Sequence, residues 1–497
     1  MKEGLRRMDN TKIRELLNKL INLSNRISEE SVYIEHVLGL FCYRYLSGQI
    51  EQEAEMVSHF NKCRPDEVLN SSSFKKEFLA KQNFFISQEN LYTKFKVKTN
   101  QEKELAQILD LAFKEFDLEA ENQYKNLFDL DFNLLGQTSD QLKEMLKIID
   151  DLYSFDDIEI FQESVDYLLN RFSERGGKGS KLLHTPKTVC ELVSQIIEID
   201  SRRGVEIYDP TYKSGSLLLS IANRIDGAKL FGQDESRLNQ KIAKMWTIIS
   251  GISDFDLKLS NSLNVNDFPN EKFDVVVANP PYSSNWNGEY NEQFYGFPEL
   301  APKSKADFAY VQLMIHHLKD MGLMAVLLPM GILFRGGKER IIREHLIKDK
   351  NCIDTIIQLP ANLFNATAIP VCLMIIKKER AEDSIFFIDA SDQFVKERQK
   401  NYFSLENIEK IVAAYKSKKN IDGFSCLAES KKIEDNDYNL GVNRYVDKIV
   451  KEEEINLENL EKEIFETEKE IAKLEQTILD YYKEIDTKSA RTQTDSN

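Results

Sequence analysis

The sequence lacks several features that mark proteins of membranes and of oxidising compartments. Its 497 residues contain no uninterrupted apolar run of about 18 residues, the length that spans a bilayer as a helix. The N-terminal segment MKEGLRRMDNTK has no apolar centre of the kind that a signal peptide carries. The six cysteines stand singly, without a Cys-x-x-Cys pair and without a ligand spacing to the six histidines. We therefore expect a soluble cytoplasmic protein with no membrane contact, no disulfides and no metal site.

Positive charge is also scarce, since the formal net charge is −16 at pH 7. This acidity argues against a surface that grips DNA along its whole length, because phosphate neutralisation supplies most nonspecific affinity. Any DNA contact is then local or shared with a partner. Two basic segments are candidates: RFSERGGKGSK, with Arg171, Arg175, Lys178 and Lys181, and FRGGKERIIR, with Arg335, Lys338, Arg340 and Arg343. Charge alone favours the other interpretation, a solvated loop or helix face.

The pattern of apolar residues changes along the chain. From residue 11 to about 172 they recur at spacings of three and four, which predicts a helical N-terminal domain over 1–172. Farther on, short apolar runs alternate with amphipathic segments, and we interpret seven of them as strands: VEIYD, AKLFGQD, LKLSNSL, FDVVVANPP, GLMAVLLP, DTIIQLP and CLMIIKK. We therefore predict an α/β domain over 173–447, with a mostly parallel sheet between layers of helices.

A heptad-like seam ends the chain. Apolar residues recur at alternating intervals of three and four among many Glu and Lys residues, which predicts a helix of roughly 30 residues within 448–486. The seam consists of Leu457, Leu460, Ile464, Thr467, Ile471, Leu474, Ile478, Tyr481 and Ile485. This helix either folds back on its own chain or joins a bundle with another subunit, and we assign it to subunit assembly. Residues 487–497 are expected to be disordered.

The segment VEIYDPTYKSGSLLLS has the layout of a nucleotide-type site. A strand ends at Asp209, and a small-residue turn, Ser214 to Ser216, leads into an apolar helix. The next strand ends in FGQD, and a carboxylate there can accept hydrogen bonds from a ribose diol. An ordinary strand-turn-helix and a helix-capping acid explain the same residues. Together, the turn and the acid indicate an adenosine-bearing cofactor.

The segment FDVVVANPPYSSNW ends a strand in a rigid polar turn, Asn279 to Tyr282, which we call the corner. A planar nitrogen could donate one hydrogen to the side-chain oxygen of Asn279 and another to the carbonyl of Pro280. Those bonds would favour the tetrahedral geometry of a nitrogen that attacks an electrophile. Pro281 stiffens the corner, and Tyr282 would stack on a planar substrate, as aromatic residues do with a base taken out of its helix. The alternative is a strand-ending turn with a buried tyrosine.

At these residues the chain resembles the modification subunit of type I restriction-modification systems, an S-adenosylmethionine-dependent adenine-N6 DNA methyltransferase. The resemblance runs from roughly 161 to 485. Its motifs are YLLNRFSERGGKGSKLLHTP, DPTYKSGSLLL, GQD, ANPPYSSNW, ADFAYVQLMIHHLKDMGLMAVLLPMGILFRGGKERIIREHL, LPANLFNATAIPVCLMIIKK and NDYNLGVNRYV.

The resemblance implies a Rossmann-like methyltransferase sheet and a mechanism. An adenine flips out of duplex DNA, Asn279 and Pro280 hold its amino group, Tyr282 stacks on the ring, and the nitrogen takes the sulfonium methyl directly. Phe364 either forms the other face of the base pocket or belongs to the core, and the core assignment is favoured. The residues implied to hold S-adenosylmethionine are Leu182, Leu183, His184, Thr185, Pro186, Lys187, Asp209, Ser214, Gly215, Ser216 and Asp234.

The same resemblance implies partners. Target recognition would belong to a specificity subunit shared by two modification subunits, and a restriction and translocase subunit would complete the system. The acidic chain then needs only local basic loops to clamp phosphate. The C-terminal seam would pack against the specificity subunit.

The sequence departs from the family pattern at three places. Tyr212 and Lys213 stand where Cys-Gly usually precedes Ser-Gly, Asn261-Ser262-Leu263 stands where an aspartate often follows the third strand, and His184 replaces an aromatic residue. Lys213 either weakens the binding of a cation-bearing cofactor or points at the carboxylate of that cofactor. Two other functions stay open. One is methylation of a glutamine side chain in a protein, because Asn-Pro-Pro-Tyr can present any planar nitrogen, and the other is an assembly scaffold whose cofactor site has decayed at Lys213.

Overall fold

The computed structural model describes residues 10–24, 30–98, 105–153, 158–176, 184–197, 204–364, 369–397, 400–447, 461 and 464–478. The first part is helical, as the spacing predicts. Its helices are α1 (Asn10–Leu23), α2 (Glu30–Asn61), α3 (Pro65–Leu69), α4 (Ser72–Gln82), α5 (Tyr92–Lys98), α6 (Leu105–Glu119), α7 (Ser139–Tyr153) and α8 (Ile158–Gly176).

The long helix α2 forms the centre of this helical part. Its residues from Tyr33 to Ser47 are buried on nearly every side, as expected for a helix that is apolar around its whole circumference. The one buried cation of this stretch, Arg44, donates through Nε to Asp150 Oδ1 of α7 at 2.7 Å. Because a buried charge requires a partner, Asp150 compensates the burial of Arg44 between α2 and α7.

A nine-stranded sheet forms the second part, with strand order β11-β8-β6-β7-β5-β4-β1-β2-β3. Its strands are β1 (Glu206–Asp209), β2 (Lys229–Asp234), β3 (Phe255–Leu259), β4 (Phe273–Ala278), β5 (Leu318–Pro329), β6 (Ile353–Gln358), β7 (Val371–Lys377), β8 (Ile385–Asp389) and β11 (Ser425–Ala428); β9 (Val395–Glu397) pairs with β10 (Lys400–Tyr402) separately. All seven predicted strands are present, and the predicted α/β class is confirmed.

The sheet is parallel over five strand pairs, from β3 through β2, β1 and β4 to β5 and between β6 and β8. The exception near its middle is β7, which runs antiparallel to both β5 and β6. Only residues 359–370 connect β6 to β7, and this connection carries no helix among its described residues. A short connection of this kind suits antiparallel strands, whereas parallel neighbours require a longer crossover.

Both faces of the sheet are covered by helices. The remaining helices are α9 (Lys187–Ile196), α10 (Ser216–Ala222), α11 (Arg237–Ile249), α12 (Asp307–His317), α13 (Lys338–Lys348), α14 (Leu405–Ser417) and α15 (Ser430–Asp435). Val275 and Val277 of β4 join the apolar cluster formed with α9, α10, α11 and α14. Their neighbours Val276 and Ala278 join the cluster formed with α12, α13 and α15. The consecutive apolar residues therefore alternate between two buried faces.

Strand order places a switch point beside β1. The chain leaves β1 toward β2 and β3 on one side and returns to β4 on the other. In an open α/β sheet, such a reversal opens a crevice beyond the carboxyl ends of the strands, where ligands bind. Asp209, Asp234 and Asn279 stand at or directly after the carboxyl ends of β1, β2 and β4.

The end of the chain, residues 448–497, forms a separate unit. Its described residues 464–478 are helical, and the apolar seam members among them are exposed, with Ile471, Leu474 and Ile478 each at least half accessible. The seam residues Leu457, Leu460, Tyr481 and Ile485 and the predicted tail lie outside the described residues. Among the described residues, none of the helices combines the length and the apolar composition that a membrane-spanning helix needs.

Candidate active site

The carboxamide of Asn279 is oriented by two hydrogen bonds. Its Nδ2 donates to Thr185 Oγ1 at 3.0 Å, and its Oδ1 accepts from the Tyr282 hydroxyl at 2.7 Å. Burial raises the pKa of Tyr282 above its ordinary value, so this hydroxyl keeps its proton and acts as a donor. A carboxamide oxygen has two lone pairs. One acceptor position on Asn279 therefore remains for another donor.

The ring of Tyr282 is half-buried beside the corner. Its hydroxyl is tied to Asn279, and the ring of Phe364 meets it edge-on at a centroid distance of 6.2 Å. Phe364 is itself half-buried and packs against the core, consistent with the favoured core assignment. It also limits how far the Tyr282 ring can tilt. Pro280 is buried and Pro281 is exposed.

The turn after β1 contains two residues with left-handed backbone. Gly215 has φ of +85° and precedes α10, where an added Cβ would lie 3.4 Å from the Cβ of Ala243. Lys213 has φ of +54°, and its backbone N–H donates to Asp234 Oδ2 at 3.0 Å. Tyr212 is buried, and Gly232 of β2 must lack a side chain because a Cβ there would approach the Tyr212 ring to 2.5 Å. The turn is therefore packed against the end of β2.

Asp234 is the main acceptor of the turn. Besides Lys213 N, it accepts from Ser236 N at 2.9 Å and from Asn239 Nδ2 at 3.0 Å, both on Oδ1. A carboxylate offers about four acceptor positions, so about one stays available to a ligand. The neighbouring Glu235 is exposed and accepts from Asn261 Nδ2 at 2.9 Å. Of the two acids, Asp234 is the one bonded to the turn.

Charge is concentrated beneath this turn. Asp209 is buried and accepts from Thr211 N at 2.7 Å, and burial raises its pKa to about 7. Burial also raises the pKa of Asp234. The Lys213 side chain is half-buried near both carboxyl groups; burial lowers its pKa to about 8, although the two acids oppose that shift. Burial thus raises the pKa of both carboxyl groups and lowers the pKa of the ammonium group near them.

The segment before α9 connects the turn to the corner. His184 Nδ1 lies 2.9 Å from Ser214 Oγ, and Thr185 N donates to Ser216 Oγ at 3.3 Å. Since Thr185 Oγ1 also accepts from Asn279, Thr185 joins the β1 turn to the corner after β4. On its other side, His184 Nε2 is 3.6 Å from Asp166 Oδ1 of α8.

Not every predicted site residue belongs to this group. Lys187 is exposed, and its Nζ lies 3.4 Å from Glu163 Oε1 of α8, so the structure ties it to a neighbouring helix. Pro186 is the residue before α9 and contributes backbone geometry. Leu182 and Leu183 lie outside the described residues.

The second basic segment consists of cations that are already engaged. Arg343 is fully buried and donates to three carbonyl oxygens, those of Ile332, Arg335 and Tyr438. The other cations form ion pairs: Arg335 with Asp307 and Glu339, Lys338 with Glu299, and Arg340 with Asp437 and Glu344. Arg335 and Arg343 therefore have structural roles, which neither interpretation from charge had included. The Lys338 and Arg340 side chains are 54% and 40% exposed and fit the favoured solvated helix face.

In the first basic segment, Arg171 Nη1 lies 3.0 Å from Glu174 Oε2, and Arg175 Nη1 donates to Ser24 Oγ at 3.0 Å. Both guanidinium groups therefore have partners within the helical part. Lys178 and Lys181 lie outside the described residues. Arg171 and Arg175 are exposed on α8, as the favoured interpretation of a solvated helix face expects.

One residue next to the corner escaped the sequence interpretation. Asp307 is fully buried and accepts from the backbone of Ser283, the residue after Tyr282. The signal was present, because an aspartate that opens the apolar run DFAYVQLM must either cap a helix or be paired when buried.

The chain matches two protein-family models and is similar to several known methylase subunits. The family model N-6 DNA Methylase matches residues 156–454, and the model HsdM N-terminal domain matches residues 12–152. The type I restriction enzyme MpnII methylase subunit of Mycoplasma pneumoniae is 32% identical over 86% of this chain and 88% of its own length. The MjaVII methylase subunit of Methanocaldococcus jannaschii is 31% identical over 68% of this chain and 61% of its own.

Solved structures of type I restriction-modification proteins are also similar to this chain. The methyltransferase subunit of the type I restriction-modification system from Streptococcus thermophilus superposes with a TM-score of 0.76 at 31% identity, covering 88% of this chain and 100% of that one. A chain from a study of type I R-M complex assembly, 17% identical, shares the fold with a TM-score of 0.62 over 94% of this chain and 97% of its own.

Proposed function

Because the chain belongs to the family of type I restriction enzyme methylase subunits, we propose that it methylates N6 of an adenine in double-stranded DNA, with S-adenosylmethionine as methyl donor. The observation that supports this most directly is the set of contacts around Asn279. Its side chain is held between Thr185 and Tyr282 at the crevice beyond β1 and β4, with one oxygen acceptor position remaining.

The residues of the corner can hold an extruded adenine for attack. The remaining lone pair of Asn279 Oδ1 and the carbonyl of Pro280 accept the two hydrogens of the exocyclic amine. Both acceptors pull the amine away from planarity with the ring, so its lone pair becomes available for a new bond. Tyr282 stacks on the base while its hydroxyl stays bound to Asn279, which couples the stacking surface to the acceptor. The methylated amine then loses its surplus proton to water.

The residues of the β1 turn fit S-adenosylmethionine. This donor supplies an electrophilic methyl group on a sulfonium centre, and it therefore brings positive charge. Asp209 and Asp234 provide carboxyl groups beside the turn, and Asp234 keeps about one acceptor position for a ribose hydroxyl. Gly215 allows backbone to approach a ligand closely. We assign Ser214, Ser216, His184 and Thr185 to the same site, because the bonds His184 to Ser214 and Thr185 to Ser216 close it on one side.

The function is tested with the chain assembled with its specificity subunit. Duplex DNA and tritiated S-adenosylmethionine are supplied, and modified bases are located by sequencing. We expect N6-methyladenine at one recurring sequence. A labelled protein glutamine, with unlabelled DNA, would instead support the glutamine methyltransferase. No transfer together with no binding of S-adenosylmethionine would support the decayed scaffold.

We also propose the assembly partners of the family: a specificity subunit that binds two copies of this chain, and a restriction and translocase subunit. Two observations support a partner that contributes DNA contacts. The net charge is −16, and the four cations of the second basic segment are engaged within the chain. The exposed seam on residues 464–478 supplies an apolar helix face for such a partner.

The seam proposal predicts the behaviour of charged variants. Ile471→Asp combined with Leu474→Asp places two carboxylates on the apolar face, and burying them against a partner is unfavourable. We expect the specificity subunit to be lost from affinity-purified complex. Lys469→Asp, on the opposite face of the same helix, is the control and should keep it. Equal retention by both proteins would contradict a role for the seam in assembly.

A further inference from the structure

The catalytic corner continues into a backbone turn that a side chain must hold. Ser283, directly after Tyr282, has φ of +50°, in the left-handed region that residues with a Cβ rarely adopt. Such a conformation persists only where the surrounding structure imposes it. The Ser283 N–H belongs to the peptide group that joins Ser283 to Tyr282, so a contact that holds this N–H also restricts the backbone of Tyr282.

Asp307 contacts Ser283 through both of its carboxylate oxygens. Its Oδ1 accepts from the backbone N–H of Ser283 at 2.8 Å, and its Oδ2 accepts from the Ser283 hydroxyl at 3.4 Å. Asp307 opens α12 and its side chain is fully buried. The residue before it, Ala306, donates its backbone N–H to the carbonyl of Ser284 at 2.8 Å. The start of α12 is therefore bound to the turn at three points.

Arg335 completes the arrangement on the other side of Asp307. Its Nη2 donates to Asp307 Oδ2 at 2.7 Å, and its Nε and Nη2 bind the two oxygens of Glu339 at 2.6 and 2.8 Å. This guanidinium fills the space beside Gly331, where an added Cβ would approach it to 2.6 Å. A planar guanidinium with two carboxylate partners has little freedom to move, so Asp307 is held as well.

We propose that Asp307 and Arg335 are positioning residues for methyl transfer, an inference that rests on the proposed function of the corner. The chain of contacts runs from Arg335 through Asp307 to the Ser283 backbone. It continues through the Tyr282 hydroxyl to the carboxamide oxygen of Asn279. When Asp307 is removed, Ser283 relaxes to negative φ, Tyr282 turns, and the acceptor for the amine is misplaced.

The test uses the assembled enzyme and pairs a loss with a rescue. Asp307→Ala should lower kcat by about a hundredfold, the effect expected of a small misplacement, while the KM for S-adenosylmethionine stays unchanged because the β1 turn is not affected. Adding Ser283→Gly should restore at least about tenfold of the lost rate, because glycine adopts positive φ without help from Asp307. The control is Ser284→Gly in the same background, which should restore nothing.

A second variant covers the case in which Asp307→Ala does not fold. Asp307→Asn has the same size but offers one oxygen to two sets of donors, Arg335 and Ser283, so a smaller loss with the same rescue is expected. Wild-type rates in the Asp307 variants would overturn the proposal. So would a loss that Ser283→Gly does not relieve, or that Ser284→Gly relieves equally. Failure of the wild-type enzyme to methylate DNA would overturn the proposed function instead.

Discussion

Asn279→Ala is expected to lower the rate of methyl transfer by about a hundredfold to a thousandfold. This is the effect typical of removing one group that stabilises a transition state. The variant loses the oxygen that accepts from the amine, and Tyr282 loses the partner of its hydroxyl. Binding of S-adenosylmethionine should change little, because the acceptors of the β1 turn are intact. The measurement is the single-turnover rate of tritium transfer to duplex DNA by the assembled enzyme.

The control for this variant is Asn264→Ala, an exposed asparagine on the loop after β3. It should keep the wild-type rate. Asn279→Ala leaves a buried hydroxyl of Thr185 without its donor, and we expect a loss of about 1–3 kcal/mol in the free energy of unfolding. Thermal unfolding of both complexes therefore accompanies the kinetics. A folded Asn279→Ala complex that methylates within a few-fold of the wild-type rate would disprove the assigned role.

Asp234→Asn is expected to weaken the binding of S-adenosylmethionine by about a hundredfold, or about 3 kcal/mol, through loss of a charge-assisted hydrogen bond to the ribose and of its negative charge. The substitution also presents an NH₂ group to Lys213 N or to the ligand, where an acceptor is needed. Calorimetric titration of the assembled enzyme measures this loss. Asp254→Asn, at the surface beside the start of β3, is the matched control.

Titration of Asp234→Asn with S-adenosylhomocysteine, which lacks the sulfonium charge, separates the lost ribose hydrogen bond from the lost negative charge. A lost ribose contact weakens the binding of both ligands by the same factor.

Lys213→Met tests the role of the lysine charge. The variant should bind S-adenosylmethionine more tightly than the wild type at pH 7 and should bind S-adenosylhomocysteine with nearly the wild-type affinity. Because burial lowers the pKa of Lys213 to about 8, its charge disappears as the pH rises through that value. The advantage of Lys213→Met should shrink accordingly. Weaker binding of both ligands by Lys213→Met would show that Lys213 contacts the cofactor carboxylate.

Much of the fold can be predicted from the local pattern of apolar residues, and the strands that this pattern misses have physical reasons. Strands β4, β5 and β7 are apolar at consecutive positions because both faces of the sheet are covered, and this signal is readable in a single sequence. The strands β8 and β11 were not predicted, and β11 has an exposed middle at an edge of the sheet. The antiparallel direction of β7 depends on the short connection from β6, which an apolar pattern does not report.

The part of the site formed by consecutive residues could be predicted from the sequence. Contacts between residues that lie far apart in the sequence could not. Asn279 to Tyr282 could be interpreted from one tetrapeptide at a strand end. The bond between Asn279 and Thr185 joins residues 94 positions apart, and Arg343 reaches the Tyr438 carbonyl across 95 positions. Charge counts cannot reveal such partners. For this reason the sequence indicated the second basic segment as a candidate phosphate contact, although its cations form ion pairs within the folded chain.

The engagement of those cations bears on how DNA affinity responds to salt. Each phosphate that a protein neutralises releases counterions, and the logarithm of the binding constant falls by about 0.9 per contact for each unit of log salt concentration. A cation that already pairs with a carboxylate of its own chain, as Arg335, Lys338 and Arg340 do, must give up that pair before it can neutralise a phosphate. In the proposed assembly, the ionic-strength dependence of DNA binding would then reflect mainly the specificity subunit. Exchanging that subunit would then change the DNA target without any change in Arg335, Lys338 or Arg340.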